Sequence, residues 1–216
     1  MKKESLIKVL EELRRPENKK NFAQSFDLIV NLKDLNLKNP DEQVDFFTNL
    51  KHTSAKVKVA ALVGQELSDA AQVCDKVIKQ TEFEEYKKNP KLAKKLASEY
   101  DFFIAQADIM PKVAQAFGRI LGTRGKMPNP KLGTILPGKA PVDPVYKKLQ
   151  STVRVSAKKS PVVQVRVGKE DMKDDEIVEN VLMLYDQILN HLPRERSNIK
   201  NVLLKLTMSK PIKIDV

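Results

Sequence analysis

The sequence has one cysteine, two histidines and no tryptophan, and these small numbers disfavour several kinds of site. A lone Cys74 cannot form a disulfide within the chain, which suits a reducing compartment such as the cytosol. His52 and His191 are far apart in sequence, so we expect no zinc site, no other metal and no cofactor. Because only 6% of the residues are aromatic, a surface built mainly on base stacking is disfavoured.

Long apolar runs are also missing, whereas positive charge is abundant. No stretch approaches the roughly 20 apolar residues that a membrane-spanning helix needs. The net charge is +11, the isoelectric point is about 9.6 and the mean hydropathy is −0.40. A chain this basic is expected to bind polyanions, with nucleic acid ahead of an anionic membrane surface. Charge alone leaves another interpretation open, namely a basic surface without a specific ligand.

Two kinds of hydrophobic pattern divide the chain. Residues 25–33 and 162–168 alternate apolar and polar side chains, as in strands with one buried face. Residues 177–192 follow the period of one long amphipathic helix. Residues 57–63 and 101–106 are instead almost continuously apolar and alternate with helical segments, which is typical of a parallel sheet covered on both faces.

These patterns predict one domain inserted into another. Residues 1–53 and 155–216 are expected to form an α+β domain with an antiparallel sheet and helices on one face. Residues 54–154 are expected to form an inserted α/β domain with three layers, Rossmann-like in architecture. The two chain crossings would act as a hinge. VRVSA and PVVQVRVG flank a polar turn at residues 158–160, which predicts a hairpin.

Glycine is scarce, and four of the seven glycines lie in one stretch, GTRGKMPNPKLGTILPGK, residues 122–139. A Walker phosphate loop requires glycine where Ile120 stands and Ser or Thr where Met127 stands, so nucleotide hydrolysis is disfavoured. GTRG has the form of a GxxG backbone clamp, but the prolines after it block the helix that should follow. The stretch has four cations and no acid. It is equally compatible with a basic loop presented to phosphates and with a structural loop whose glycines and prolines form turns.

Residues suited to catalysis are sparse. The adjacent acids at 84–85 and 174–175 point apart or cap helices, and no Ser-His-Asp arrangement is legible. We therefore expect that the chain is not an enzyme. Two alternatives stay open: an enzyme that handles phosphates or nucleotides in the middle domain, and a nonspecific basic binder of nucleic acid.

Longer motifs resemble the ribosomal protein L-one family, protein one of the large subunit, in its archaeal form. GRILGTRGKMPNPKLGT (118–134) is similar to the family signature, and NFAQSFDLIVNLKDLNLK (21–38) to its first strand. VGKEDMKDDEIVENV (167–181) resembles the Val-Gly-Lys stretch before the long helix, and LTMSKPIKI (206–214) the closing Thr-Met-Gly strand. The resemblance covers nearly the whole chain and implies a two-domain protein whose terminal domain binds RNA.

The RNA-binding residues that this resemblance implies are Ser25, Phe26, His52, Gly168, Lys169, Thr207, Met208 and Ser209. Phe26 matches the aromatic residue of the first strand, and with Met208 it is expected to present apolar surface to RNA. A possible secondary group on the basic loop comprises Arg119, Arg124, Lys126 and Lys131. There are two departures from the family pattern: Ser209 stands where glycine is usual, and residues 50–54 lack the usual proline and glycine.

The resemblance also implies a function. It implies a structural rRNA-binding protein of the large-subunit stalk near the tRNA exit site, which also represses translation by binding its own messenger RNA. The implied partners are large-subunit rRNA, tRNA leaving the ribosome and that messenger RNA, and no membrane. The protein is expected to be cytoplasmic and ribosome-bound, and a monomer outside the ribosome.

Overall fold

A computed structural model describes residues 3–39, 42–54, 56–64, 73–138 and 140–215. The chain divides into two compact units, which we call the terminal unit (Met1–Ala55 with Ser151–Val216) and the middle unit (Lys56–Gln150). The second crossing therefore comes earlier than residue 154. The reason is that the strand Thr152–Ala157 pairs with Val44–Asn49 of the terminal unit. Ala55 and Lys139 lie outside the described residues, and a hinge at the crossings stays a prediction.

Helices and strands lie close to the positions that the periodicity predicts. The helices are α1 (Lys3–Leu13), α2 (Phe83–Lys88), α3 (Pro90–Glu99), α4 (Met110–Thr123), α5 (Asp143–Ser151) and α6 (Asp174–His191). The strands are β1 (Ser25–Leu32), β2 (Val44–Asn49), β3 (Val59–Val63), β4 (Lys76–Lys79), β5 (Phe102–Gln106), β6 (Ile135–Leu136), β7 (Thr152–Ala157), β8 (Val162–Lys169), β9 (Ile199–Leu206) and β10 (Ile212–Ile214). None of the helices in the described ranges is long and apolar enough to cross a membrane.

The terminal unit is built on an antiparallel sheet of order β10-β9-β1-β8. Every second residue of β1 is buried, so one face of the sheet packs with α1 and α6 in a single hydrophobic core. The chain forms a bulge where β1 pairs with β8, between Phe26 and Asp27. The predicted hairpin of β7 and β8 is wrong, because β7 pairs with β2 in a separate sheet. Alternation identified both strands but not their partners.

The middle unit contains a parallel sheet of order β4-β3-β5-β6. All five residues of β3 are buried, since alternate side chains enter two different cores. One core includes residues of α2, α3 and α4, and the other includes Leu149 of α5. The predicted combination of antiparallel and parallel sheets in one chain is therefore confirmed.

Candidate nucleic-acid interface

One end of the antiparallel sheet brings together residues that are far apart in the sequence. β1 begins at Ser25, β8 ends at Lys169, and β9 ends directly before Thr207. Because β1 is antiparallel to both neighbours, Ser25 pairs with Lys169, and the next residue of β1 pairs with Leu206. The Thr207 hydroxyl oxygen accepts a hydrogen bond from Ser25 N at 3.1 Å and lies 3.4 Å from Ser25 O. We call the surface formed by Ser25, Lys169 and residues 207–209 the sheet-end face.

Gln24 holds this face together and was not foreseen from the sequence. It is fully buried. Its Oε1 accepts a hydrogen bond from Met208 N at 3.1 Å, and its Nε2 donates to Asn18 O at 2.7 Å. Its backbone N donates to Glu170 Oε2 at 3.1 Å, and its backbone O accepts from Glu170 N at 2.9 Å. A single side chain thus fixes the turn after β9 to the segment before β1, and nothing in a local pattern distinguishes such a glutamine from a solvated one.

Ser209, the departure from the family's glycine, closes the turn at the end of β9. Its Oγ accepts a hydrogen bond from Leu206 N at 2.9 Å, and its own N donates to Leu206 O at 3.1 Å. The non-glycine residues of the described ranges with positive φ are Asp34 and Glu195, so Ser209 does not adopt the left-handed conformation that favours glycine. The serine side chain therefore stabilises the turn from within.

The expected contact between the Phe26 ring and RNA is wrong for this structure. Phe26 is fully buried, because it belongs to the inward-facing set of β1 together with Leu28 and Val30. Within the described ranges, the exposed large hydrophobic residues are Met208 at 64%, Phe22 at 53% and Leu92 at 37%. Phe22 lies two residues before Gln24, which binds Met208 N. The exposed aromatic just before β1 is thus Phe22, four residues earlier in the sequence than Phe26.

Arg14 is a second residue that sequence reasoning missed. Its guanidinium group lies 5.4 Å from the centroid of the Phe26 ring. The same group donates three hydrogen bonds, to Asp174 Oδ1 at 2.7 Å, to Glu170 O at 2.8 Å and to Met172 O at 2.7 Å. Arg14 therefore ties the end of α1 to the segment that joins β8 to α6.

Gly168 and His52 are held beside the same segment by packing and hydrogen bonds. A Cβ atom on Gly168 would lie 3.0 Å from Ile177 Cγ1, so this glycine lets α6 approach the sheet closely. The buried side chain of Asn180 accepts from His52 N at 3.0 Å and donates to the backbone oxygens of His52 and Val167, both at 2.9 Å. The backbone of His52 is therefore fixed next to the β-bulge.

The His52 side chain faces an acid. Its Nε2 lies 3.3 Å from Glu179 Oε2, and Lys51 Nζ lies 3.5 Å from the same oxygen. The hydrogen bond from His52 and the charge of Lys51 lower the pKa of Glu179 below its usual value. Within this group the acid thus offsets positive charge that would otherwise be available to a phosphate.

On the face of the antiparallel sheet away from the helices, Asp27 lies between two cations. Asp27 pairs with Arg166 on β8 and with Lys205 on β9. Burial raises the pKa of the Asp27 carboxyl above its ordinary value, although the two cations act in the opposite direction. With Lys169 at the end of β8, this face carries more positive than negative charge next to the sheet-end face.

The four cations of the predicted basic loop have different surroundings. Lys126 turns inward: its Nζ donates to Tyr100 O at 2.7 Å, and burial lowers its pKa. Lys126 is therefore less available to an external ligand than a solvated lysine, and its place in the basic group stays a prediction. Arg119 and Arg124 line a groove beside α2 and α3, whereas Lys131 lies in the exposed turn Pro130–Leu132.

The glycines of this stretch have structural roles. Gly125 has a φ of 64° and follows the end of α4, where Lys126 N donates to Leu121 O as in a Schellman cap. Gly133, with a φ of 72°, ends the short turn Pro130–Leu132. These two glycines are thus explained by the turns that they form, and their positions do not require a bound phosphate.

A known protein family covers nearly the whole chain. The model of the Ribosomal protein L1p/L10e family matches residues 12–210. That range includes the segments that form the sheet-end face. The chain belongs to the Ribosomal protein L1p/L10e family.

Archaeal members of the L1p/L10e family align with nearly all of the chain. It is 40% identical to the large ribosomal subunit protein uL1 of Methanothermobacter thermautotrophicus over 96% of both chains. It is 37% identical to that of Methanothermococcus thermolithotrophicus over 100% of both chains. It is also 37% identical to that of Pyrococcus abyssi, over 98% of this chain and 96% of the relative. These names describe a ribosomal protein and not an enzyme.

Possible metal ligands were expected to be sparse from the two distant histidines and the single cysteine. In the part of the chain that the structure describes, no three of them lie close enough to hold a metal ion. Burial raises the pKa of the Cys74 thiol to about 11, which keeps it protonated near neutral pH.

Proposed function

We propose that this chain is a structural protein of the large ribosomal subunit that binds rRNA through the sheet-end face. The observation that carries this proposal is the placement of exposed Met208 and Phe22 on a hydrogen-bonded frame fixed by Gln24. Exposed large apolar side chains indicate a binding surface when they lie in one patch, which is what we propose for Met208 and Phe22. Membership of the L1p/L10e family and the net charge of +11 support RNA as the ligand.

Binding at this face combines a rigid frame with water exclusion. Gln24 and Thr207 fix the backbone before RNA arrives, so little ordering entropy is lost on binding. Met208 and Phe22 cover apolar or stacked surfaces of folded RNA and shield neighbouring hydrogen bonds from water. A mismatched RNA leaves polar groups unpaired there, which costs free energy. Lys169 and its neighbours neutralise phosphates, while shape, 2′-hydroxyls and unstacked bases carry the specificity.

We further propose that the two units act as two domains within the ribosome. The terminal unit is the α+β rRNA-binding domain, and the middle unit is an α/β domain inserted into it. The place we propose is the stalk near the tRNA exit site, where departing tRNA is a second partner. Outside the ribosome the protein is a cytoplasmic monomer that binds its own messenger RNA and represses its translation. The motif resemblance across nearly the whole chain supports these finer assignments.

The main test compares three variants against a fragment of large-subunit rRNA. Met208→Asp places a charge where an apolar contact is expected, and Thr207→Ala removes the hydroxyl bonded to Ser25. Lys131→Ala, on an exposed turn of the middle unit, is the control. We expect the first two to weaken specific binding by more than about tenfold and the control by less than about twofold. Equal losses from all three variants would contradict the sheet-end face as the site.

Specificity separates this proposal from nonspecific basic binding. The specific RNA should bind at least about 1,000-fold more tightly than unrelated duplex, by analogy with protein–DNA specificity ratios. A nonspecific binder would bind the rRNA fragment and the unrelated duplex equally well. The logarithm of its binding constant would fall with the logarithm of the salt concentration, with a slope of about −0.9 per phosphate contact. Chemical footprinting of the large-subunit rRNA then locates the contacted nucleotides.

Repression is tested separately. The leader of the protein's own messenger RNA should compete with the rRNA fragment for the protein, and Met208→Asp should weaken both complexes. The absence of measurable leader binding would remove the repressor role and leave the rRNA role intact.

A further inference from the structure

A groove in the middle unit runs along one face of α4, between that helix and α2 and α3. Two adjoining cavities of about 560 and 260 Å³ form it and share Lys87, Gln115 and Ala116. The residues that α4 contributes recur at intervals of three and four, so they form one continuous stripe: Lys112, Gln115, Ala116, Arg119, Ile120 and Thr123. From 112 to 123 the stripe is about 16 Å long, or three helical turns.

The walls of this groove are strongly basic. α2 and α3 contribute Lys87 and Lys94, and α4 and the residue after it contribute Lys112, Arg119 and Arg124, whereas Glu84 is the acid among the lining residues. In the described ranges none of these five cations forms an ion pair; Arg124 donates a hydrogen bond to Ser98 Oγ at 2.6 Å. Among the described residues of the middle unit, no acidic side chain therefore pairs with this charge.

The floor of the groove is aliphatic and not a stacking platform. Ala116 and Ile120 of α4 are partly buried and line the groove between the charged walls. The two aromatic residues of the lining, Phe83 and Tyr86, pack against buried Phe117, with ring centroids 5.4 and 5.2 Å away. Phe83 is buried, and the partly buried Tyr86 ring is held against the hydrophobic core by this contact. A single RNA strand gains affinity from stacking on fully exposed aromatic faces, and the described lining residues offer no such face.

We propose that the α4 groove, defined by the lining residues above, docks an acidic amphipathic helix of a partner protein. An apolar stripe of such a helix covers Ala116 and Ile120, and acidic residues on both sides of the stripe meet the two basic walls. The charge complementarity and the length of the groove select this occupant. The proposal concerns the middle unit and does not depend on the rRNA role of the sheet-end face.

The experiment uses the full chain and two synthetic peptides of about 14 residues, long enough at 1.5 Å per residue to span the groove. One peptide has leucines along a single helical stripe with glutamates on both sides. The other has the same composition in an order that breaks the stripe. A single-stranded oligouridylate is the nucleic-acid competitor. Fluorescence anisotropy gives the affinities, and thermal unfolding checks that each variant is folded.

The striped peptide should bind at least about tenfold more tightly than its scrambled counterpart, since only the stripe can cover the floor. Arg119→Glu and Lys94→Glu, one on each wall, should each weaken the striped peptide about tenfold or more. Lys131→Glu, the same charge reversal at an exposed position outside the groove, should change its affinity less than about twofold. If Arg119→Glu does not fold, Lys112→Glu, at an exposed position of the same wall, replaces it.

Several results would overturn the proposal. These are no binding of the striped peptide, equal affinity for the two peptides, or an equal loss from Lys131→Glu. Displacement of the striped peptide by a more tightly bound oligouridylate, with the same sensitivity to Arg119→Glu, would assign the groove to nucleic acid instead.

Discussion

Gln24→Leu removes both side-chain hydrogen bonds of a fully buried glutamine while keeping most of its volume. Met208 N and Asn18 O lose their partners, and leucine leaves no large cavity. An unsatisfied buried polar group costs about 1–3 kcal/mol. The low end, about 1 kcal/mol for each of the two backbone groups, applies because Met208 and Asn18 are themselves partly exposed. The free energy of unfolding of the terminal unit should therefore fall by about 2 kcal/mol. The equilibrium constant for its opening should rise about 30-fold.

The chain has two units, so a single unfolding transition would mix their stabilities. Hydrogen exchange of the β1 and β9 amides reports on the terminal unit alone. Gln164→Leu, an exposed glutamine to leucine change on β8 of the same sheet, is the matched control and should stay within about 0.5 kcal/mol of the parent.

Loosening the turn at Met208 should also weaken rRNA binding. Ordering one residue of backbone costs about 1–2 kcal/mol, so Gln24→Leu should weaken binding of the rRNA fragment about tenfold. The reasoning fails if protection of the β1 and β9 amides falls by less than about threefold and RNA affinity is unchanged.

Phe22→Ala should cost about 1–3 kcal/mol of rRNA affinity with little loss of stability, whereas Phe26→Ala should destabilise the terminal unit by about 3–5 kcal/mol; the reverse pattern would restore Phe26 as the RNA contact. Arg14→Lys should destabilise that unit by about 1–2 kcal/mol in amide exchange, because lysine cannot reproduce three directed hydrogen bonds, and an unchanged exchange rate would contradict this. Asp27→Asn tests linkage. The raised pKa of Asp27 means that the folded state binds the proton of this carboxyl more tightly than the unfolded state does. The contribution of Asp27 to stability therefore falls as pH rises through the range just above 3.8. The variant should lack this contribution in the pH dependence of β1 and β9 amide protection, and an identical pH dependence would show that Asp27 is not its source.

Periodicity predicted the types of element correctly because it reflects which face of a strand or helix leaves water. The alternation of β1 follows from one buried face, and the continuous apolar run of β3 follows from cores on both sides of its sheet. The same alternation places Phe26 in the core, whereas matching it to a family aromatic placed it on the surface. Here the physical pattern was the better guide, and Phe22 is the exposed aromatic.

Pairing and orientation were harder to predict. The hairpin of β7 and β8 was wrong because two strands close in sequence joined different sheets. Lys126 was counted with the exposed cations because charge usually indicates solvation, yet its ammonium group binds Tyr100 O. In both cases the sequence shows the chemical character of the residue but not the neighbour that it meets.

By itself the sequence determined the net positive charge that makes a polyanion the expected ligand, the two hydrophobic periods that separate terminal and middle segments, and the motifs that carry the family resemblance. Only the tertiary structure decided how the sheet-end face is held. Met208 N bonds to Gln24 across a separation of 184 residues, Arg14 to Asp174 across 160, and His52 to Asn180 across 128. These contacts depend on the direction of a side chain after the strands have paired, and no local pattern encodes that direction.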